Sequence, residues 1–480
     1  MVTVHALIDM YENPNIYNNL TEEYQKKLID QITWGADYIV FAQESSENPL
    51  TDGRFNHDAG RQTNYGTTDF HNWHGSAYAL TVLPRAYHVF EETDPELAEK
   101  YLSCAEKAYE NAIYRPYNLE SDLAGKSDSD GVHYDVDETE YVNSLARTVY
   151  GADSDWVIPQ TLKTKDKLAF IWACTQLYEI TGDETYFDSA AAFAASAAER
   201  QFTDFENPID GVYGNFYAYE GNDELFELEW NQNHRFHMGN IEPTNLKGFM
   251  DLLTIDPTHP DAAKWYNVIK TYGDNYAKGT AELSPLGIYP LAMYSDPVYG
   301  GVKFFKATNH GATGMYGQIA KNFMQLGDFL GDNSYQVLAN NNVEFVAGLN
   351  PGVPTSYDEY AWIPMSMIKG LGNQYFDAKH GIIPSPMGSG QNGFSADVQF
   401  ATTPISATPD APKGIINPDG SYQFNEDYLP HSHGYVSGVA LLEGNYTLTI
   451  QVKNDGVPVE ADVLINLDGI EYRYTTAYVQ

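Results

Sequence analysis

Leu177-Tyr178-Glu179-Ile180-Thr181-Gly182-Asp183-Glu184-Thr185-Tyr186 closes one apolar-periodic run and opens the next, and its joint recurs as Gly331-Asp332-Asn333-Ser334-Tyr335. In each case a glycine is placed to end one helix in a left-handed turn, and an aspartate is placed to cap the helix that follows. The runs on either side, 165–180 with 184–200 and 310–329 with 333–347, predict two helical hairpins of one design. A third pair, 75–92 and 95–113, is broken at Glu91-Glu92-Thr93-Asp94-Pro95, with Asp94 as N-cap and Pro95 at the first helical position. Residues 22–44 carry Leu28, Ile32, Ala36, Ile39 and Val40 on one helical face. With 243–254, 260–278 and 434–442 there are about ten helical segments, counted from periodicity. Recurring hairpins of this size imply an all-α toroid, the (α/α)6 arrangement of inner and outer helices, whose closed form needs about twelve helices.

Long, aromatic, Gly-rich connections separate the hairpins at 45–74, 114–164, 202–242, 280–308 and 350–430, and long loops of this kind usually carry function. On a toroid they are expected to gather at one rim. After about residue 444 the pattern changes to strand alternation over 446–452 and 458–474, with turn signals at Asn454-Asp455-Gly456 and Asp468-Gly469. The expected organisation is a barrel over 1–444 and a β segment over 445–480, itself a candidate start of an immunoglobulin-like module.

Composition narrows the function. The 480 residues hold 66 acidic and 27 basic side chains, a formal charge of −39. That excludes most proteins that grip phosphate backbones and disfavours anionic lipid surfaces. Two cysteines, Cys104 and Cys174, form neither a disulfide framework nor a thiolate metal site. No apolar run reaches membrane-spanning length and no signal-peptide pattern is visible. Tyrosine is abundant at 37 residues, beside 22 Phe and 7 Trp. Such aromatics on an acidic, Lys-poor chain suit an enzyme that handles neutral glycans.

The helical runs also carry a resemblance. Leu28-Ile29-Asp30-Gln31-Ile32-Thr33-Trp34-Gly35-Ala36-Asp37-Tyr38 is similar to the "LLDEIKWGLDWLL" helix of glycoside hydrolase family 9. Further matches follow in family order: Asp94-Pro95 to Ala108, Trp172-Ala173 to Gly182-Asp183, Phe345 to Asn350-Pro351, Ser366 to Gly372, Pro412-Lys413-Gly414 and Asn425-Glu426. The resemblance implies an (α/α)6 barrel, inverting hydrolysis of β-glucans such as cellulose, and structural calcium. The family's base motif "DAGD" does not precede the first matched helix. His57-Asp58-Ala59-Gly60-Arg61 echoes it later, with Arg61 in place of the second aspartate. The soft helix count and the missing motif lead to the expectation of an N-terminally incomplete chain, or else of a divergent member with a rebuilt site.

Inverting hydrolysis needs a protonated carboxyl group to serve the leaving oxygen and a carboxylate to activate water, roughly 6.5–9.5 Å apart. Glu426 is the candidate acid, set among Tyr422, Phe424, Tyr428, His431 and His433. Asp58 and Asp69 are the candidate bases, or else turn and capping residues. Sugar faces stack on aromatic rings, which makes Trp73, Trp230, Tyr357, Trp362 and Tyr375 candidate platforms. Asn309, His310, His380, Tyr428 and His431 are candidate substrate contacts. Trp34 and Trp172 are expected in the core. Asp128, Asp130, Asp135 and Asp137 offer the oxygen ligands calcium takes, or form a solvated acidic loop; no cofactor is otherwise required. The expected partner is a polysaccharide or oligosaccharide, with no nucleic acid and no membrane, and the substrate class points to an extracellular or cell-surface location. The alternatives are a polysaccharide lyase on the same toroid, disfavoured by the few Arg and Lys available for a uronic acid, and a non-catalytic glycan-binding relic.

Overall fold

In the computed structural model the described residues are 2–43, 45, 53, 55, 73–110, 164–217, 245–284, 286–290, 292–294, 301–304, 313–350, 353–354, 362–363, 366–368, 371, 390, 429–442, 453–454, 457–458, 462–467 and 470–475. Helices α1 (Val2–Glu12), α2 (Pro14–Tyr17), α3 (Glu22–Ala42), α4 (Trp73–Phe90), α5 (Pro95–Tyr109), α6 (Thr164–Thr181) and α7 (Glu184–Glu199) make up the first half. The second half holds α8 (Lys247–Ile255), α9 (Ala262–Thr271), α10 (Lys278–Leu283), α11 (Thr313–Leu330), α12 (Ser334–Ala347) and α13 (Leu429–Leu442). A π-helical turn, Tyr272–Ala277, joins α9 to α10.

The joints behave as their chemistry demands. Asp94 accepts a hydrogen bond from the Leu97 amide and Asp183 from the Thr185 amide. At the later joint Asp332 accepts from the Ser334 amide. Gly182 and Gly331 take φ of 70° and 66°, the left-handed turn that a side chain would strain. On α3 the expected stripe is buried at Leu28, Ile32, Ala36 and Ile39, with Ala42 continuing it.

Six helices form a closed inner ring in which each packs on the next: α1, α4, α6, α8, α11, α13 and back to α1. Outside it, α3, α5, α7, the α9–α10 pair and α12 each pack on the inner helix that precedes them. This is the (α/α)6 barrel, with six inner and five outer positions filled among the described residues. The inner helices run parallel. His5 and Asp9 of α1 meet Thr81 and Arg85 of α4, while Thr3 and Asn13 meet His433 and Ala440 of α13. Glycines allow the closest of these approaches: a Cβ on Gly317 of α11 would stand 2.4 Å from the Gly434 carbonyl group of α13.

Two expectations change. Helix α1 is not announced by the sequence, because an inner helix is packed on several sides and shows no clean polar face; His5 and Asp9 are themselves buried in it. Trp172 is buried as expected, but Trp34 is 70% exposed. The turn of helix that holds Trp34 buries Ile32 and Ala36 instead, so the indole lies on the flank of α3 rather than beneath it.

Short antiparallel pairs complete the picture: β1 (Ala292–Tyr294) with β2 (Gly301–Lys303), β3 (Val353–Pro354) with β4 (Trp362–Ile363), β5 (Lys453–Asn454) with β6 (Val457–Pro458), and β7 (Asp462–Leu467) with β8 (Ile470–Thr475). The pairs Asn454–Val457 and Leu467–Ile470 close the two C-terminal ladders on either side of the turn signals read from the sequence. The expected strand 446–452 lies outside the described residues. Among the described residues no helix is long and apolar enough to cross a membrane.

Candidate functional site

The parallel inner ring gives the barrel two unlike ends. Inner helices pass to outer ones through short joints, as at Gly182-Asp183 and Gly331–Asn333. Outer helices return to inner ones through long connections: 43–72 into α4, 110–163 into α6, 200–246 into α8, 284–312 into α11 and 348–428 into α13. Every long connection therefore delivers the chain to the N-terminal ends of the inner helices. Those ends share one rim, and their partial positive charges add there.

The expected site residues fall on these arriving segments. Trp73 is the first residue of α4 and Trp362 lies in β4. Glu426, Asp58, Asp69, Asn309, His310, Tyr357, His380, Tyr428, Trp230 and Tyr375 lie outside the described residues, as do Asp128, Asp130, Asp135 and Asp137. Among the described residues no group of three or more His, Cys, Asp or Glu is arranged to hold a metal ion.

What is described is the frame under the rim. His431, in the first turn of α13, is fully buried, and its Nδ1 accepts the Gly314 amide of α11 at 3.0 Å. A neutral ring then carries its proton on Nε2. Ser432 Oγ accepts the Gly390 amide at 2.7 Å, and a Cβ on Gly390 would stand 2.5 Å from the Ser432 nitrogen, so this backbone lies directly on the start of α13. Gly390 also bridges to Ile368, whose neighbour Met367 donates its amide to the Val346 carbonyl. The Ser366–Ile368 stretch, part of the family-like motif, is thereby tied to the same rim. His433 Nδ1 meets Thr3 Oγ1 at 2.7 Å, which fixes the start of α1.

About one and two-thirds turns further along α1, about 9 Å from Thr3 to Asp9 along the helix axis, lies a charged layer. Arg85 donates to Asp9 at 2.8 Å and to Glu12 at 2.7 Å, and Lys321 donates to both oxygens of Asp9, at 2.8 and 3.0 Å. Burial alone would raise the Asp9 pKa, but Lys321 and Arg85 outweigh it and hold the carboxylate below its ordinary value. His5 Nδ1 lies 2.8 Å from Arg85. Arginine can only donate, so Nδ1 accepts and Nε2–H turns to Thr81 Oγ1 at 3.1 Å. The His5 ring stacks on Trp172 at 5.3 Å and 20°. Its burial, followed by the charges of Arg85 and Lys321, keeps its pKa well below normal. Periodicity does not find this layer; the only signal in the sequence is a charged residue inside each of three apolar helical runs.

Burial likewise pushes the His433 pKa down to about 4. The unfolded chain then binds a proton near pH 6.5 that the folded chain refuses until about pH 4. Folded stability contributed by neutral His433 is therefore complete above about pH 6.5 and is lost as pH falls towards 4, by up to about 1.4 kcal/mol per pH unit. The stability gap between the protein and His433→Gln, measured by urea unfolding, is expected to narrow over that window. A gap independent of pH would show that His433 is not held neutral by the fold.

No protein-family model matches this chain, and no curated protein matches it. Solved structures do. AaCel9A in complex with cellobiose-like isofagomine superposes with a TM-score of 0.51 at 14% identity, covering 92% of this chain and 72% of that one. The cellulase Cel9M of C. cellulolyticum gives 0.48 at 15% identity, over 92% and 83%. The endoglucanase of the termite Nasutitermes takasagoensis gives 0.49 at 12% identity, over 92% and 84%. At such identities the likeness is one of fold.

Proposed function

We propose that the chain is an inverting glycoside hydrolase acting on β-linked neutral glycans of the cellulose or β-glucan type, with Glu426 as the general acid and Asp58 or Asp69 as the base. The observation that carries this reading is positional. Glu426 and Tyr428 precede α13 by three residues and one, Asn309 and His310 precede α11 by four and three, and Asp69 precedes α4 by four. All belong to connections arriving at the same rim. The fold shared with AaCel9A, whose complex holds a cellobiose-like molecule, supports a sugar as the occupant.

The field of the rim bears on the proposed roles. Six helix N-termini stabilise negative charge, which suits the base carboxylate. The same field would ionise the acid, so Glu426 needs its aromatic surroundings to raise its pKa and keep its proton. Trp73, Tyr357 and Trp362 serve as stacking platforms, His431 and its Gly314 contact hold the acid's helix, and a carbohydrate is the partner. Asp128, Asp130, Asp135 and Asp137 would hold calcium as a structural ion.

The test is incubation with β-glucan and with a uronic polymer while reducing ends and ultraviolet absorbance are followed. Reducing ends without absorbance are expected, with Glu426→Gln lowering turnover about a hundredfold or more. New absorbance would move the assignment to a lyase, and binding without turnover would leave a glycan-binding protein.

A further inference from the structure

Two contacts cross the lumen of the inner ring. His5 of α1 stacks on Trp172 of α6, and Lys321 of α11 reaches Asp9 of α1. Neither pair of helices is adjacent in the ring, since α4 stands between α1 and α6 and α13 between α11 and α1. Side chains therefore fill the lumen at two levels. The His5–Trp172 pair is nearer the rim, and the layer around Asp9 lies about 6 Å deeper along α1. Gln318 of α11 opens onto the upper level. Two residues before it, Tyr316 turns outward to Phe345 of α12, with ring centroids 5.0 Å apart. Gln318 lies about 200° further round the helix, on the lumen side. It sits about 6 Å below Gly314, where α11 meets His431, and about 4.5 Å above Lys321. Gln318 is 4% exposed, and its Oε1 has no hydrogen-bond partner among the described residues.

A buried amide oxygen left unpaired costs free energy, so it calls for a donor from outside the fold. The groups at this level decide which donor fits. His5 Nδ1 is taken by Arg85 and its Nε2–H by Thr81 Oγ1, whose own proton goes to the Tyr78 carbonyl. Both Asp9 oxygens are taken by Lys321. An ordered water needs two to four polar partners, and these neighbours are already committed to one another. The level instead combines one open acceptor with an imidazole and an indole. A sugar matches that combination: a hydroxyl donates to the amide, and the ring's CH groups lie against aromatic side chains.

We infer that Gln318 is a substrate-binding residue on the floor of the rim, its Oε1 accepting a hydrogen bond from a hydroxyl of the glycan unit that reaches deepest into the lumen. The inference rests on the proposed substrate class. The Asp9 layer stands beneath Gln318, so the saccharide arrives from the rim side. Gln325 supplies an internal control. Its Oε1 is also buried without a partner among the described residues, but it lies about 6 Å below Lys321, on the far side of that layer.

Calorimetric titration with cellobiose, beside thermal unfolding without ligand, tests it. Gln318→Leu is expected to weaken cellobiose binding about tenfold, the loss of one buried hydrogen bond. Its thermal midpoint is expected to hold or rise, because an unpaired buried amide has been replaced by an apolar group of similar size. Gln325→Leu is expected to bind cellobiose as the parent does. Unchanged affinity in Gln318→Leu overturns the inference, since the amide then meets only water. Equal weakening in both variants overturns it as well, because the effect is then general to the barrel. So does a thermal midpoint several degrees lower in Gln318→Leu, which would mean that the amide is paired within the fold. A parent that does not bind cellobiose sinks the inference too. If affinity falls as expected but no β-glucan is ever cleaved, the contact stands and the hydrolase assignment fails. Cleavage with unchanged affinity is the reverse case.

Discussion

Asp9→Asn is expected to destabilise the protein by about 3–5 kcal/mol in urea unfolding at neutral pH. Asp9 is almost fully buried and is shared by two cations that come from different inner helices, Arg85 of α4 and Lys321 of α11. Arg85 keeps a second partner in the half-exposed Glu12. Lys321, itself 9% exposed at the side chain, makes its described salt bridge to Asp9. The amide substitution preserves shape, so the loss measures a buried ammonium stripped of its counter-ion rather than a cavity. Asp9→Asn combined with Lys321→Met is expected to recover much of the loss, because replacing a buried pair by apolar groups is often neutral. A cost below about 1 kcal/mol for Asp9→Asn would mean that water solvates this layer, and the account of a dry charged core would fall.

Gly434→Ala is the second large effect, about 3 kcal/mol of stability, from overpacking in a place with no room to relax. The added Cβ would stand 2.1 Å from the Gly314 carbonyl oxygen and 2.7 Å from the same residue's carbonyl carbon. Those are backbone atoms of α11 and cannot rotate aside as a side chain would. Gly317 and Gly438 meet the opposite helix in the same way. Relief comes only by pushing α13 away from α11, which stretches the bond between the Gly314 amide and His431. Activity is therefore expected to fall together with stability. Gly182→Ala is the control: no atom lies within 4 Å of its added Cβ, so only the left-handed backbone is strained, at about 1–2 kcal/mol. Equal losses for the two variants would show that α11 and α13 are not in backbone contact.

Much of the barrel can be read from the chain because outer helices have one wet face. Leu28, Ile32, Ala36 and Ile39 repeat with helical period and are buried. Inner helices are legible as helices, α1 excepted, but periodicity does not say which of their sides meets which neighbour. On α11 every residue from Thr313 to Met324 is buried, including Gln318, Lys321 and Asn322. Trp34 fails for a related reason: periodicity identifies the buried stripe of α3 but does not say which large residues on its border find a neighbour. The candidate acid and bases come from motif order and residue type, and they lie outside the described residues.

By itself the sequence determined the helical hairpins and their joints. Capping, left-handed glycines and period-3.6 burial are local properties, decided within a few residues by backbone sterics and hydrogen bonding. It also determined the formal charge of −39. Only the tertiary structure decided that six helices close an inner ring, that Asp9 gathers Arg85 from 76 residues away and Lys321 from 312 residues away, and that Gly434 lies on Gly314. Those contacts join segments far apart in the chain. Their partners are fixed by the way inner helices pack around a common axis, and no local pattern encodes which buried charge will face which.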